Sequence, residues 1–567
     1  MDRKAKQAII STGIAFVIII TVMTAAIIKK LTPSDQIIPL TEYYKVDNGE
    51  VLVIMQDRIY EQKCILEDGI IYMDYETVIE KLNKRFYWDA NENVLSYTTP
   101  TEVIKAEVGS QDYYVNKNKN KMDYTIVKTK GEQAYIAIDF VKQYSNMRYE
   151  YYKSPNRIVI QYNWDDYLFT KVKKPTQLRF EPSIKSDILV ELEQEDVLTY
   201  VDTSEVAKGG FSKVMTVDGI IGYVKNKDVK ESYYEAVESQ YQAPEYTHIT
   251  KDGTINLVWN QVTNMDANDN LISLLENTKG VTTVSPTWFS VDSKEGTITS
   301  FADELYVERA HAQEVEVWAL VDDFNTEVNM YDLLSYTSRR EKLINELIAA
   351  AIKYNLDGLN IDFETIAVDA GIHYIQFIRE LSVKCRNNDI VLSIDNYVPA
   401  DYSAYYDREE QGIVADYVII MAYDEYFAGS ETSGSVASIE FVKGAIEKVL
   451  AMVPKEKTII GIPFYTRLWK EVTDNGNVVV TSEAYSMSNA AALLKDNGVK
   501  PKWNEESGQF YAEYKKDGAT YKMWLEEEAS IEAKMKLINA ADVAGVSSWK
   551  LGLEKESIWD VIIKYVN

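Results

Sequence analysis

The 567-residue chain carries 88 acidic against 60 basic residues, and the resulting formal charge of -28 excludes nucleic acid and anionic membrane surfaces as main partners. Its length exceeds one ordinary domain and implies three or four, and a hydrophobic content of 46% lets each build a core. Two cysteines, Cys64 and Cys385, assigned to different domains, exclude a disulfide framework, so packing must supply the stability.

Residues 7–28 form an uncharged run of 22, about the length that crosses a bilayer core as a helix. Arg3, Lys4 and Lys6 precede it and Lys29 and Lys30 follow, which favours a cytoplasmic N-terminus and an exported bulk. A cleaved signal peptide is the competing reading. The run is long for that purpose and no A-x-A site precedes Lys29, so the expectation is a cytoplasmic tail over 1–7, an uncleaved anchor over 8–28 and a linker over 29–45.

An internal repeat follows. I-I-Y-M-D-Y-E-T-V from Ile70 aligns 63 residues later with Q-A-Y-I-A-I-D-F-V from Gln133, pairing Tyr72 with Tyr135, Val78 with Val141 and Arg85 with Arg148. Each copy predicts a strand, a short helix and a hairpin, and two copies are expected to pack into one α+β unit over 46–165. The pattern resembles the duplicated domain named after the N-terminal part of copper amine oxidases. With three histidines in the whole chain and no cluster of them, copper does not follow.

Residues 170–231 change to short strands and turns, with a hairpin signal at Asp218-Gly219. The segment resembles a bacterial SH3 domain, which implies either binding of wall peptides or a spacer barrel. A polar linker is expected over 232–248.

From residue 249 to 567 strands and helices alternate eight times, with strands predicted at 255–259, 282–285, 316–321, 357–363, 391–396, 417–422, 458–463 and 545–549, and the clearest helix at 338–354. Eight such units in about 300 residues specify a (β/α)8 barrel. Between the last two strands, 470–527 reads as a small inserted sheet that walls a cleft. The fourth strand, L-D-G-L-N-I-D-F-E-T over 356–365, alternates apolar Leu359, Ile361 and Phe363 with Asn360, Asp362 and Glu364, so the polar set shares one face. Unpaired buried charge is expensive, which makes a catalytic carboxylate pair a better reading than a polar network supporting a turn.

D-G-L-N-I-D-F-E resembles the D-x-x-D-x-D-x-E signature of family 18 glycoside hydrolases, the chitinase-like enzymes, with Asp357, Asp362 and Glu364 matching and Asn360 replacing one Asp. That departure is similar to the branch of bacterial spore-cortex and cell-wall N-acetylglucosaminidases. Met421-Ala422-Tyr423-Asp424 resembles the family's M-x-Y-D element, and Trp549 matches the Trp that floors the sugar subsite. The resemblance implies a retaining, substrate-assisted route in which the sugar's N-acetyl oxygen attacks its own anomeric carbon and forms an oxazolinium ion. Glu364 would be the acid, Asp362 the support for the acetamido N–H and Tyr423 the donor to the acetamido oxygen. Trp549, Asn360 and Asp424 are the expected substrate contacts, and Asp357 a support for the turn.

An amide at 360 cannot repel Asp362, so Asp362 is expected to ionise readily and to stay charged without sharing a proton. No metal ligand set is evident and no cofactor is expected. These features imply an outward-facing, membrane-anchored hydrolase of a bacterium, of the Gram-positive type, cleaving β-1,4 bonds after N-acetylglucosamine in peptidoglycan. A chitinase or chitooligosaccharide hydrolase is the alternative activity, and a non-catalytic glycan-binding protein or wall scaffold the alternative class.

Overall fold

The computed structural model describes residues 2–201, 210–474 and 477–566. These residues fall into two compact units, one comprising Met1–Phe86, Ala106–Asp112 and Lys121–Ala243, the other Tyr87–Lys105, Tyr113–Asn120 and Pro244–Asn567.

In the first unit the helix Arg3–Leu31 buries none of its residues and is long and apolar enough to cross a membrane. Beyond it, both repeat copies fold as a strand, a short helix and a hairpin. Strands Ile70–Asp74 and Gln133–Ala137 pair antiparallel, Tyr72 lying opposite Ala137, and Val78 and Val141 are fully buried. The copies then diverge. The second hairpin, Arg148–Tyr152 with Arg157–Gln161, joins a seven-stranded sheet through parallel pairing with Glu50–Met55. The first, Phe86–Asp89 with Val94–Thr98, enters a separate five-stranded sheet. The two hairpins therefore lie in different sheets.

The region expected to resemble an SH3 domain is a seven-stranded antiparallel sheet whose outer strand, Tyr233–Ala236, pairs with Asp166–Lys171. Part of the expected 232–248 linker is therefore strand. The 29–45 segment also has structure: helix Leu40–Tyr44 lies against this sheet, where the Tyr43 and Tyr44 hydroxyls donate to the carbonyls of Ile221 (3.1 Å) and Gly219 (3.0 Å).

The second unit is built on a closed parallel barrel. Its eight strands are Ile255–Asn260, Thr283–Val291, Glu316–Asp322, Gly358–Asp362, Val391–Tyr397, Tyr417–Met421, Thr458–Pro463 and Gly545–Trp549. The first pairs with both the second (Leu257 with Thr283) and the eighth (Ile255 with Gly545), which closes the ring. Side chains fill the interior, as in barrels of this kind. Near the bottom the Trp318 and Tyr417 rings stack with centroids 5.5 Å apart, and Gly358 makes room, since a Cβ there would lie 2.8 Å from the Trp318 ring. The long helix Thr337–Lys353 turns Leu343, Leu347 and Ala351 into the core, as its spacing predicts.

Between the last two barrel strands stands a five-stranded antiparallel sheet carrying the helix Met487–Asp496. It begins at Tyr465 rather than 470, because its first strand, Tyr465–Asp474, follows almost directly from Thr458–Pro463.

Candidate active site

A cavity of about 220 Å³ opens at the C-terminal ends of the barrel strands, where barrels of this fold build their sites. The fourth strand delivers Asp362 to it, with Glu364 immediately beyond. The fifth strand adds Asp395 and Tyr397, the sixth Met421 with Tyr423 and Asp424 after it, and the eighth Trp549. Trp259 from the first strand and Tyr465 from the inserted sheet complete the walls with Phe324. The aromatic rings form a continuous surface: Trp259 lies edge-on to Tyr423 at 6.3 Å between centroids and tilted against Trp549 at 6.0 Å. Larger hollows lie elsewhere, such as one of about 490 Å³ beside Met487–Asp496, but its buried acid Glu526 is already paired with Lys534.

The motif residues are held individually. Asp323, almost fully buried, accepts from the Glu364 amide (2.9 Å), the Thr365 amide (3.0 Å) and the Thr365 hydroxyl (2.7 Å), which fixes the backbone that carries Glu364. Burial raises the Glu364 carboxyl above its usual range. Tyr397 opposes this by hydrogen bonding, and the charges of Asp323, Asp424 and Asp322 add to it. A carboxyl so placed keeps its proton further toward neutrality, as a general acid requires. Tyr423 is half-buried, and Gly461 lies close beneath it, since a Cβ at 461 would approach the Tyr423 ring to 3.3 Å. Asp424, exposed at φ +56°, accepts from the Tyr465 hydroxyl at 2.5 Å. Asp357 lies at the opposite end of the fourth strand, accepting from the Val317 amide and paired with His311 at 2.7 Å, a supporting position.

Asn360 departs from its expected place. It is fully buried beneath the cavity, its Oδ1 accepts from Trp259 Nε1 and Ser285 Oγ (both 2.9 Å), and its Nδ2 donates to Asp395 Oδ1 at 2.8 Å. The amide oxygen and one of the two Nδ2 hydrogens are thus engaged within the protein, and the side chain is buried away from the cavity. An amide at 360 does not leave Asp362 without a carboxylate neighbour. Burial first, and the Asp395 charge second, push the Asp362 carboxyl well above its usual range, while burial raises Asp395 to about 8 against the opposing bond from Asn360. The expectation of a readily ionised Asp362 is overturned by the next strand. Asp395 was legible in one respect: V-L-S-I-D-N alternates, placing Ser393 and Asp395 on one face. That this face meets Asp362 depends on strand register, which the pattern does not give.

Comparison with known proteins bears on the family of the barrel. The profile of the glycosyl hydrolases family 18 matches residues 220–554, more than half of the chain. The chain belongs to glycoside hydrolase family 18. The copper amine oxidase N-terminal domain matches residues 45–160, the region of the repeat. Among curated proteins, this family 18 chain is 29% identical over 286 residues to the uncharacterized glycosylase YvbX of Bacillus subtilis, a match covering 48% of the chain and 81% of that protein. It is 23% identical over 231 residues to the cortical fragment-lytic enzyme of Bacillus anthracis, covering 40% of the chain and 53% of the enzyme. The chain thus spans about half the length of such cortex-lytic relatives. The solved spore cortex-lytic enzyme SleL of Bacillus cereus shares the fold at a TM-score of 0.50 and 20% identity, covering 59% of this chain and 79% of that one. Among the described residues no group of metal-ligating side chains occurs.

Proposed function

We propose that this family 18 barrel hydrolyses β-1,4 bonds after N-acetylglucosamine in peptidoglycan, with retention and with assistance from the substrate's own acetamido group. The observation that carries the reading is the meeting, in one aromatic-lined cavity, of Glu364, whose carboxyl burial raises above its usual range, with Asp362 and Tyr423. Glu364 donates its proton to the leaving oxygen. The acetamido oxygen attacks the anomeric carbon, so no protein nucleophile is needed, a known departure from the two-carboxylate scheme. Asp362 accepts from the acetamido N–H and offsets the growing oxazolinium charge, while Tyr423 donates to the acetamido oxygen and orients it. Trp549 stacks beneath the ring, and Asp424 at the rim accepts from sugar hydroxyls.

Peptidoglycan is favoured over chitin by the relatives' cortex-lytic names and by the apolar helix, which suits residues 8–28 to anchoring the protein at the membrane with its bulk facing the wall. The antiparallel sheet between the repeat and the barrel is read as a wall-binding, SH3-like module. The test is incubation of the full chain with purified peptidoglycan and, separately, chitooligosaccharides, alongside Glu364→Gln, with products identified by mass spectrometry. New reducing ends at N-acetylglucosamine from peptidoglycan, absent with Glu364→Gln, are expected. Release from chitooligosaccharides alone would select the chitinase reading, and no release from either would select the non-catalytic one.

A further inference from the structure

Two buried oxygens in the cavity have no hydrogen-bond partner among the described residues: Oδ1 of Asp362 and Oδ2 of Asp395. The residues carrying them are 6% and 2% exposed. Their strands are parallel neighbours in register, Asn360 beside Ser393 and Ile361 beside Ile394, so the next positions, 362 and 395, lie side by side about one strand spacing, roughly 4.8 Å, apart. Asn360 occupies the other oxygen of Asp395, holding that carboxyl toward its neighbour. No Lys or Arg lines the cavity. Two carboxylates in such a place cannot both ionise cheaply.

We propose that Asp395 is the positioning partner of Asp362: the two carboxyls hold one proton between them, and it passes from Asp362 to Asp395 when a sugar's acetamido N–H reaches Asp362. The inference rests on the function proposed above. One O–H bond breaks on Asp362 and one forms on Asp395, the pair keeps a single negative charge, and nothing is oxidised or reduced. Glu364 delivers its own proton separately to the leaving oxygen. At rest the charge belongs on Asp395, where the Asn360 amide donates to it. The arriving N–H reverses that preference and leaves Asp362 anionic where positive charge develops. The exchange needs no solvent, which suits two carboxyls buried at the base of the cavity.

The groups facing the pair bear on its titration. They are Glu364 beside Asp362, Asp322 and Asp323 from the third strand's end, Tyr423 from the sixth and Tyr397 from the fifth, so every charge near the pair is negative and favours retention of the shared proton.

The test compares the full chain with Asp395→Asn and with the exchange variant Asn360→Asp/Asp395→Asn. The exchange preserves each hydrogen bond, because Asp at 360 accepts from Trp259, Ser285 and the new amide at 395. Measured are kcat and KM against pH on N-acetylglucosamine oligosaccharides or peptidoglycan fragments, and Tm against pH. Expected for Asp395→Asn are a fall in kcat of about tenfold or more with KM changed by less than about threefold, and a pH–rate profile that loses the limb near pH 8. The exchange variant recovers about tenfold of that loss. A buried acid with a raised pKa binds its proton better in the folded state, so stability falls as pH rises from about 4 to about 8. Asp395→Asn should make the Tm fall between pH 5 and pH 8 shallower. An unchanged pH–rate profile together with an unchanged Tm slope overturns the proposal. If the wild-type chain turns over no glycan while the Tm slope changes as expected, the shared proton stands and the functional reading falls. If Asp395→Asn does not fold, the exchange variant decides, a kcat as low as that of Glu364→Gln counting against the proposal.

Discussion

At the scale of single residues, the site depends on carboxyl groups pushed away from their ordinary titration. Glu364 is raised by burial, so its acid form survives above the usual carboxylic range and is lost as pH rises through the shifted value. Activity should fall along that alkaline limb, and Glu364→Gln should lower kcat by about 10³-fold with the fold intact by circular dichroism. Tyr423→Phe removes one donor to the acetamido oxygen and should lower kcat by about 10²-fold, read in the same assay. A smaller change probes the support: Gly461→Ala presses on the Tyr423 ring and should reduce kcat more than it reduces Tm. Asp362, Glu364, Tyr423 and Trp549, picked out in the sequence at strand ends, all line the one cavity. Asp395 and Trp259 were not picked out, since their part depends on which strand lies beside which and in what register. Asn360 misled for the same reason, its amide being directed to Trp259, Ser285 and Asp395 rather than to the cavity.

At the scale of elements, the first repeat hairpin does work that the repeat pattern does not announce. The helix Thr337–Lys353 has no side-chain cap of its own. Asp89 of the hairpin supplies one, accepting from the Thr337 amide at 2.6 Å and its hydroxyl at 2.7 Å, while Glu92 accepts from the Ser338 amide at 2.7 Å. Two carboxylates at a helix N-terminus satisfy its free amides and complement its dipole. Beside them the fully buried Arg340 bonds the Tyr87 hydroxyl at 3.0 Å and both oxygens of Glu380 at 3.2 Å. Asp89→Ala should therefore cost about 1–2 kcal/mol in chemical denaturation. Removing the hairpin would take the Tyr87 hydroxyl from buried Arg340 and the Asp89 and Glu92 caps from the helix, so a barrel cut at residue 246 should be less stable than the full chain. His373, bonded to Tyr87 at 2.7 Å, is lowered to about 4 by burial and by Arg340. Between about pH 6.5 and 4 the unfolded chain binds a proton that the folded chain refuses, so stability is full above 6.5 and declines as pH falls. Tm scans from pH 7 to pH 5 should show that decline, and His373→Gln should flatten it. Strand, helix and hairpin in both copies were predictable from periodicity. Where each hairpin goes was not, because parallel pairing of Leu52 with Arg157 and capping of a distant helix are long-range events.

At the scale of the whole molecule, the order of parts fits a catalyst held near its polymer. The barrel was readable because its strands recur with buried apolar runs at regular spacing, and the inserted sheet because its strands alternate between them. Polar segments also pair, as Tyr233–Ala236 does at the edge of its sheet. If helix Arg3–Leu31 anchors the protein, the full chain should sediment with membranes and resist carbonate extraction, and deletion of residues 2–31 should move it to the soluble fraction with kcat unchanged. The central claim, that the sugar's own acetamido group is the nucleophile, is tested most directly by comparing turnover of an N-acetylglucosamine oligosaccharide with that of the same oligomer after removal of its acetyl groups. Hydrolysis of the first is expected with the β configuration retained in the fresh product, with a loss of about 10³-fold or more on the second. Equal rates on both, or inversion at the anomeric carbon, would contradict it.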